Sequence, residues 1–91
     1  MTNIIWKYEI QGAARQTVMM PKDAEILTAQ MQGSRICLWA MVDPEAPKKR
    51  REIEVLGTAN LLASEVRMYI GTVQVQSNTT PFVLHIFENL E

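Results

Sequence analysis

Only one cysteine and one histidine occur among the 91 residues, and that scarcity removes several kinds of protein at once. Cys37 alone cannot close an internal disulfide, and no Cys/His set has the spacing of a zinc site. A fold that is neither stapled nor metal-built must rest on its apolar core, and at this length a single domain, 1–91, hides about two thirds of its unfolded surface. Long hydrophobic runs are missing as well. Stretches of about six to eight apolar residues fall far short of the roughly 20 that cross a bilayer, and the opening MTNIIWKYEIQ has neither a basic n-region nor a cleavage site. The expectation is a cytoplasmic protein with no membrane segment. Charge of one sign is lacking too: nine Lys and Arg stand against ten Asp and Glu, whereas a sequence-independent nucleic-acid binder normally shows a basic surplus. Gly12, Gly33, Gly57 and Gly71 are isolated, so no phosphate-cradling loop supports nucleotide hydrolysis.

What is present is alternation, almost everywhere, with hardly any helical period. Ile4 to Ile10 places Ile4, Trp6, Tyr8 and Ile10 on one face, and Arg15 to Met20 follows a turn at Gly12 as its expected hairpin partner. Ala24 to Gln32 reads as a third strand, with Ile26 opposed to Leu27, Ala29 and Met31. The Gly33-Ser34 turn then predicts a tight hairpin with Arg35 to Val42. The prolines of Asp43-Pro44-Glu45-Ala46-Pro47 and the basic Lys48-Lys49-Arg50-Arg51 are expected to form one exposed loop, followed by a fifth strand, Glu52 to Leu56. Thr58 to Arg67 reads as a loop with room for one short helix starting at Asn60. Met68 to Gln76, with Tyr69, Gly71, Val73 and Val75 on one side, and Phe82 to Glu88 supply the last two strands. About seven short strands joined by hairpin-length turns imply an all-β fold, a small antiparallel β-sandwich or open barrel.

One strand breaks the rule that an antiparallel sheet has a dry face and a wet face. Ile36-Cys37-Leu38-Trp39-Ala40-Met41-Val42 is apolar on both. A domain this small has no spare helix to cover the second face, and soluble monomers rarely expose such a patch. Association of identical chains, with Trp39, Met41 and Cys37 in the interface, is the expectation. The alternative is a central strand packed between two sheets or threaded through a barrel bend.

Residues that carry chemistry are few. A nucleophilic system would have to pass through His85 with Cys37, Ser34, Ser64 or Ser77, and no G-x-S-x-G spacing occurs. No catalytic, metal or cofactor residue is therefore assigned, and Cys37 in mid-strand reads as a small buried hydrophobe. The carboxylates are scattered over turns and wet faces. Lys48, Lys49, Arg50 and Arg51 form the one concentrated charge feature, able to grip an anionic ligand or an acidic partner, with Arg67 as a further cation.

Ile5-Trp6-Lys7-Tyr8-Glu9-Ile10, Cys37-Leu38-Trp39-Ala40-Met41-Val42-Asp43-Pro44, Tyr69-Ile70-Gly71-Thr72-Val73-Gln74 and His85-Ile86-Phe87-Glu88 together resemble a family of small bacteriophage and prophage proteins with no assigned activity. The resemblance spans nearly the whole chain. It implies a phage-encoded protein acting in the host cytoplasm. Where similar proteins often carry Gly-His-Pro after the Gly-Thr, this chain has Ala59-Asn60-Leu61. The combined expectation is a non-enzymatic, homo-oligomeric β-domain that engages a host protein. A second expectation is an oligomer that sequesters a small anionic ligand, such as a nucleotide signal, through Lys49, Arg50 or Arg67.

Overall fold

The computed structural model describes residues 2–12, 14–60, 62–63, 65–76, 79 and 81–91. Seven strands form: β1 (Ile4–Ile10), β2 (Arg15–Pro21), β3 (Glu25–Gln32), β4 (Arg35–Val42), β5 (Lys48–Gly57), β6 (Arg67–Val75) and β7 (Phe82–Asn89). Every pairing is antiparallel. A three-stranded sheet has the order β1-β4-β3 and a four-stranded sheet the order β2-β5-β7-β6. The fold is all-β, and Cα extents of 46 × 32 × 15 Å suit a sandwich whose sheets pack about 10 Å apart. Among the described residues no helix is long and apolar enough to cross a membrane.

The β3–β4 hairpin forms as its turn predicts. Gln32 pairs with Arg35, and Gly33 between them adopts φ +62°, the left-handed first position of a type II′ turn, which matches strand twist. The expected β1–β2 hairpin does not form. β1 pairs with β4, whereas β2 pairs with β5 in the other sheet, because a strand apolar on both faces needs a neighbour on each side and takes β1 and β3. The crossover is pinned by the Gln16 side-chain amide, which accepts from Gln11 N and donates to Gln11 O, both at 2.8 Å.

The basic run is likewise strand, not loop. Lys48, Lys49 and Arg50 pair with Pro21, Met20 and Met19, and the loop ends at Pro47, whose carbonyl accepts from Lys22 N at 2.7 Å. Their low strand preference is overridden by the ladder to β2, an edge strand where Pro21 needs no donor. At the other end of β5, Asn60 N donates to Gly57 O at 3.3 Å, closing a turn where a short helix was expected. Leu61 and Ser64 of that segment lie outside the described residues.

Ile10, Met20, Ala29, Ile36, Leu38, Ala40, Val42, Ile53, Val55, Val73 and Ile86 fill the space between the sheets. Two bulges decide which residues join them. The register of β3 shifts between Ile26 and Thr28, so Leu27 turns outward, 42% exposed, while Ile26 joins Ala29 and Met31 against the core. The register of β6 shifts between Tyr69 and Gly71. Tyr69 therefore sides with Phe87 and Thr72 on the outer face, not with Val73 and Val75. An extra residue reverses every side chain beyond it, which strict alternation cannot foresee.

Between the bulges the edge strands of the two sheets nearly touch. A Cβ on Gly71 would stand 3.2 Å from Ala29 O and 3.4 Å from Ala29 N. The obstacle is backbone and cannot swing aside. Gly71→Val is expected to lose about 1–3 kcal/mol by overpacking, seen as a lower urea midpoint with an unchanged slope. Unaltered stability would mean that β3 and β6 do not meet closely there.

Candidate functional site

Cys37, Trp39 and Met41 alternate with the buried Ile36, Leu38, Ala40 and Val42, so they point away from the second sheet. Register sets Lys7 and Thr28 beside Trp39, Glu9 and Gln30 beside Cys37, and Ile5 and Glu25 beside Met41. Long polar side chains bridge this face from strand to strand. Lys7 Nζ donates to Gln32 Oε1 at 2.6 Å and Arg35 Nη1 to Glu9 Oε2 at 2.9 Å. Their aliphatic stems cover apolar surface while their heads stay wet, and Cys37 lies beneath them at 1% exposure. Trp39 and Met41 are only half-buried, and Ile5 beside them is 60% exposed. Trp39, Met41 and Ile5 are thus the apolar side chains that this face exposes, while Cys37 is buried.

The cations divide sharply. Arg51 alternates with Ile53 and Val55 and so enters the space between the sheets. It grips Glu88 with two hydrogen bonds, the one from Nη2 to Oε1 measuring 2.9 Å, and Nη1 donates to Ala24 O at 2.9 Å. The Glu88 hydrogen bond raises the guanidinium's pKa further, against burial, which lowers it. Arg67 donates from Nε to Glu54 Oε1 at 2.7 Å and from Nη1 to Ala63 O at 2.8 Å. Asn89 Nδ2 joins Glu54 to Glu65 at 3.2 and 2.7 Å. Burial alone would raise the Glu54 pKa, but hydrogen bonds from Arg67 and Asn89, with the charges of Arg67 and Arg15, hold it below the ordinary value.

Two of the five cations singled out in the sequence therefore hold the framework together. Lys48, Lys49 and Arg50 remain exposed. The Lys48 ammonium lies 5.6 Å from the centroid of the Trp6 ring, a cation–π distance. Arg50 shares Glu52 with Arg15, at 3.7 and 3.6 Å.

His85 alternates with buried Ile86, which puts it on the outer face of the four-stranded sheet. Its Nε2 meets Thr58 Oγ1 at 2.8 Å, its Nδ1 meets Thr72 Oγ1 at 3.1 Å, and Thr72 meets the Tyr69 hydroxyl at 2.6 Å. Cys37 and His85 thus face away from each other across the full thickness of the sandwich. A Cys-His pair needs hydrogen-bond reach, which this placement denies. Ser34 sits in the β3–β4 turn, while Ser64 and Ser77 lie outside the described residues. Among the described residues no group of three or more His, Cys, Asp or Glu side chains could hold a metal ion.

A further surface has no counterpart in the sequence reading. A groove of about 470 Å³ is lined by the chain entering β3, by β6 and by the end of β7, among them Asp23, Ile26, Met68, Ile70 and Leu90, together with the Arg51–Glu88 pair. Met68 is 56% and Leu90 50% exposed. Alternation in Met68 to Gln76 identifies a strand but not this groove, because the groove depends on which segments of the chain meet.

The family model of a domain of unknown function, DUF7352, matches residues 1–91. The chain belongs to that family. No curated protein and no solved structure matches it.

Two outcomes test the ionic framework in this member of the family. Arg51→Met leaves the Glu88 side chain, only 8% exposed, without its partner, and is expected to cost about 3–5 kcal/mol in urea unfolding. Arg51→Met with Glu88→Leu should recover much of that loss. For Glu54 the folded pKa lies below the ordinary 4.5. Its stabilisation is therefore complete above that value and disappears as the pH falls through the folded one. Glu54→Gln should flatten the acid limb of a stability–pH profile, and an unchanged limb would assign acid lability to another carboxylate.

Proposed function

We propose that the chain is a phage-encoded, non-enzymatic interaction protein that assembles with its own copies in the host cytoplasm and engages a host factor. The observation that carries the assembly is the outward face of β4. Trp39 and Met41 stand half-buried in the middle strand of a sheet that no second layer covers on this side among the described residues, and Ile5 extends the same patch. Aromatic and methionine side chains at the centre of a face, rimmed by paired charges, are the composition of an interface core. Lys7 and Arg35 lie on that face with Glu9, so an identical copy meets both signs of charge. The phage setting and the host factor rest on the resemblance of the sequence motifs. Action by binding is supported by the separation of Cys37 from His85. Sequestration of an anionic ligand ranks behind, since of the five cations singled out in the sequence Arg51 and Arg67 are engaged by buried carboxylates and Arg50 is paired with Glu52.

Sedimentation of the parent protein and Trp39→Glu tests the reading. The parent is expected to sediment as a discrete oligomer. The variant should sediment as a folded monomer, because a buried interfacial carboxylate without a partner opposes association. A parent that stays monomeric at high concentration overturns the proposal.

A further inference from the structure

β1, β3, β2 and β6 end the two sheets, and the last three are blunted. β3 and β6 meet across the sandwich, where Gly71 has no room for a Cβ beside the Ala29 backbone. β2 ends in Pro21, which has no hydrogen to donate to a further strand. β1 has neither protection. Its register with β4 runs unbroken from Ile4 opposite Val42 to Ile10 opposite Ile36, and among the described residues no strand pairs with its outer side. Alternate backbone N–H and C=O groups therefore point away from the sheet, a ready template for another strand.

The side chains of β1 select the occupant. Lys7 and Glu9 are exposed on one face, opposite in sign and one alternation apart. An identical strand laid antiparallel, with its two-fold axis at Tyr8, sets Lys7 against the partner's Glu9 and Glu9 against the partner's Lys7. On the other face Trp6 meets the partner's Ile10, and Tyr8 meets its own image. Opposite charges and aromatic–aliphatic pairs directly across a ladder stabilise it, whereas like charges oppose it. A register centred on Lys7 is refused by that rule, since Lys7 would face its own image. One centred on Trp6 would bring together the two Lys48 ammonium groups that lie over the indoles. The ladder stops at Ile10 because the Gln16 amide already occupies Gln11 N and O. Within one chain Glu9 Oε2 accepts from Arg35 and Lys7 donates to Gln32, but a carboxylate has a second oxygen and an ammonium two further hydrogens.

We propose that β1 pairs with β1 of a second copy in the Tyr8-centred register, joining two three-stranded sheets into one with the order β3-β4-β1-β1-β4-β3. This inference rests on assembly through the β4 face. Stable interfaces bury about 1,200–2,000 Å², more than so short a ladder covers, so the edge contact forms between copies already joined through Trp39, Met41 and Ile5. The edge axis stands perpendicular to the sheet and the axis of stacked β4 faces lies parallel to it. Perpendicular two-folds close at four copies, so the assembly does not grow into a fibre.

Sedimentation of the parent should give a tetramer. Lys7→Glu sets glutamate against the partner's Glu9, and Glu9→Lys sets lysine against the partner's Lys7, so each variant alone should halve the sedimenting mass. An equimolar mixture of the two variants restores both opposite-charge pairs and should recover the parent mass, more fully at low salt. If either variant loses its circular dichroism spectrum, a second measurement uses the parent alone. Isotope-labelled and unlabelled chains are mixed until subunits exchange and are coupled with a carbodiimide, and Lys7–Glu9 cross-links between a labelled and an unlabelled chain are expected by mass spectrometry. A parent dimer that neither charge variant alters, or that lacks the mixed cross-link, overturns the edge pairing and leaves assembly through Trp39 standing. Variants that halve the mass but do not recover it on mixing overturn it too, since the charges would then act within one chain. A parent monomer overturns both readings.

Discussion

Everything in this sandwich is arranged around a strand that has no polar side. A run of seven apolar residues, Ile36–Val42, cannot lie at a sheet edge without offering water both a hydrophobic face and an unpaired backbone. It therefore sits between β1 and β3. That placement takes β1 away from its chain neighbour β2 and sends the chain across to the second sheet at Gln11. It also leaves Trp39 and Met41 on the far side, where no layer among the described residues covers them. Topology, crossover and candidate assembly surface follow from one packing requirement.

Charge plays a structural part that net composition hides. With nine cations against ten anions the chain looks electrostatically bland, yet two guanidinium groups are placed where carboxylates have little access to water. Arg51 ties β5, β7 and the entry to β3 into one unit, and Arg67 with Asn89 gathers Glu54 and Glu65 at the other face. Buried pairs of this kind add little net stability but are costly to break. The Arg51–Glu88 pair also lies in the lining of the groove. Lys48, Lys49 and Arg50 stay exposed where β5 pairs with the edge strand β2.

Residues with reactive chemistry are separated by the same architecture. Alternation puts the thiol under a roof of polar side chains on one outer face and the imidazole between two threonines on the other. Each has hydrogen-bond company of its own: Cys37 Sγ lies 3.9 Å from Arg35 O, and His85 lies between Thr58 and Thr72. What the surface offers instead is shape and polarity. The half-buried Trp39 and Met41 mark the outer face of β4, and the exposed Met68 and Leu90 line the groove.

Strand identity was legible in the chain because a pleated ribbon with one buried face writes its period into the residues. Ile4–Ile10 and Arg35–Val42 have the bounds their alternation implies, and Gly33 marks their neighbouring turn through a backbone angle that other residues resist. Neither partner choice nor facing could be read this way. A lysine-rich segment became strand because β2 needed a neighbour, and Leu27 and Tyr69 turned outward because bulges reversed the phase of edge strands. By itself, then, the sequence determined how many ribbons form, that they are antiparallel, and that one of them is apolar on both faces. Tertiary structure alone decided that this ribbon takes the middle of a sheet, which other ribbons meet, and which cations are consumed as ties. Those outcomes depend on distances between segments far apart in the chain, and a local period carries no information about them.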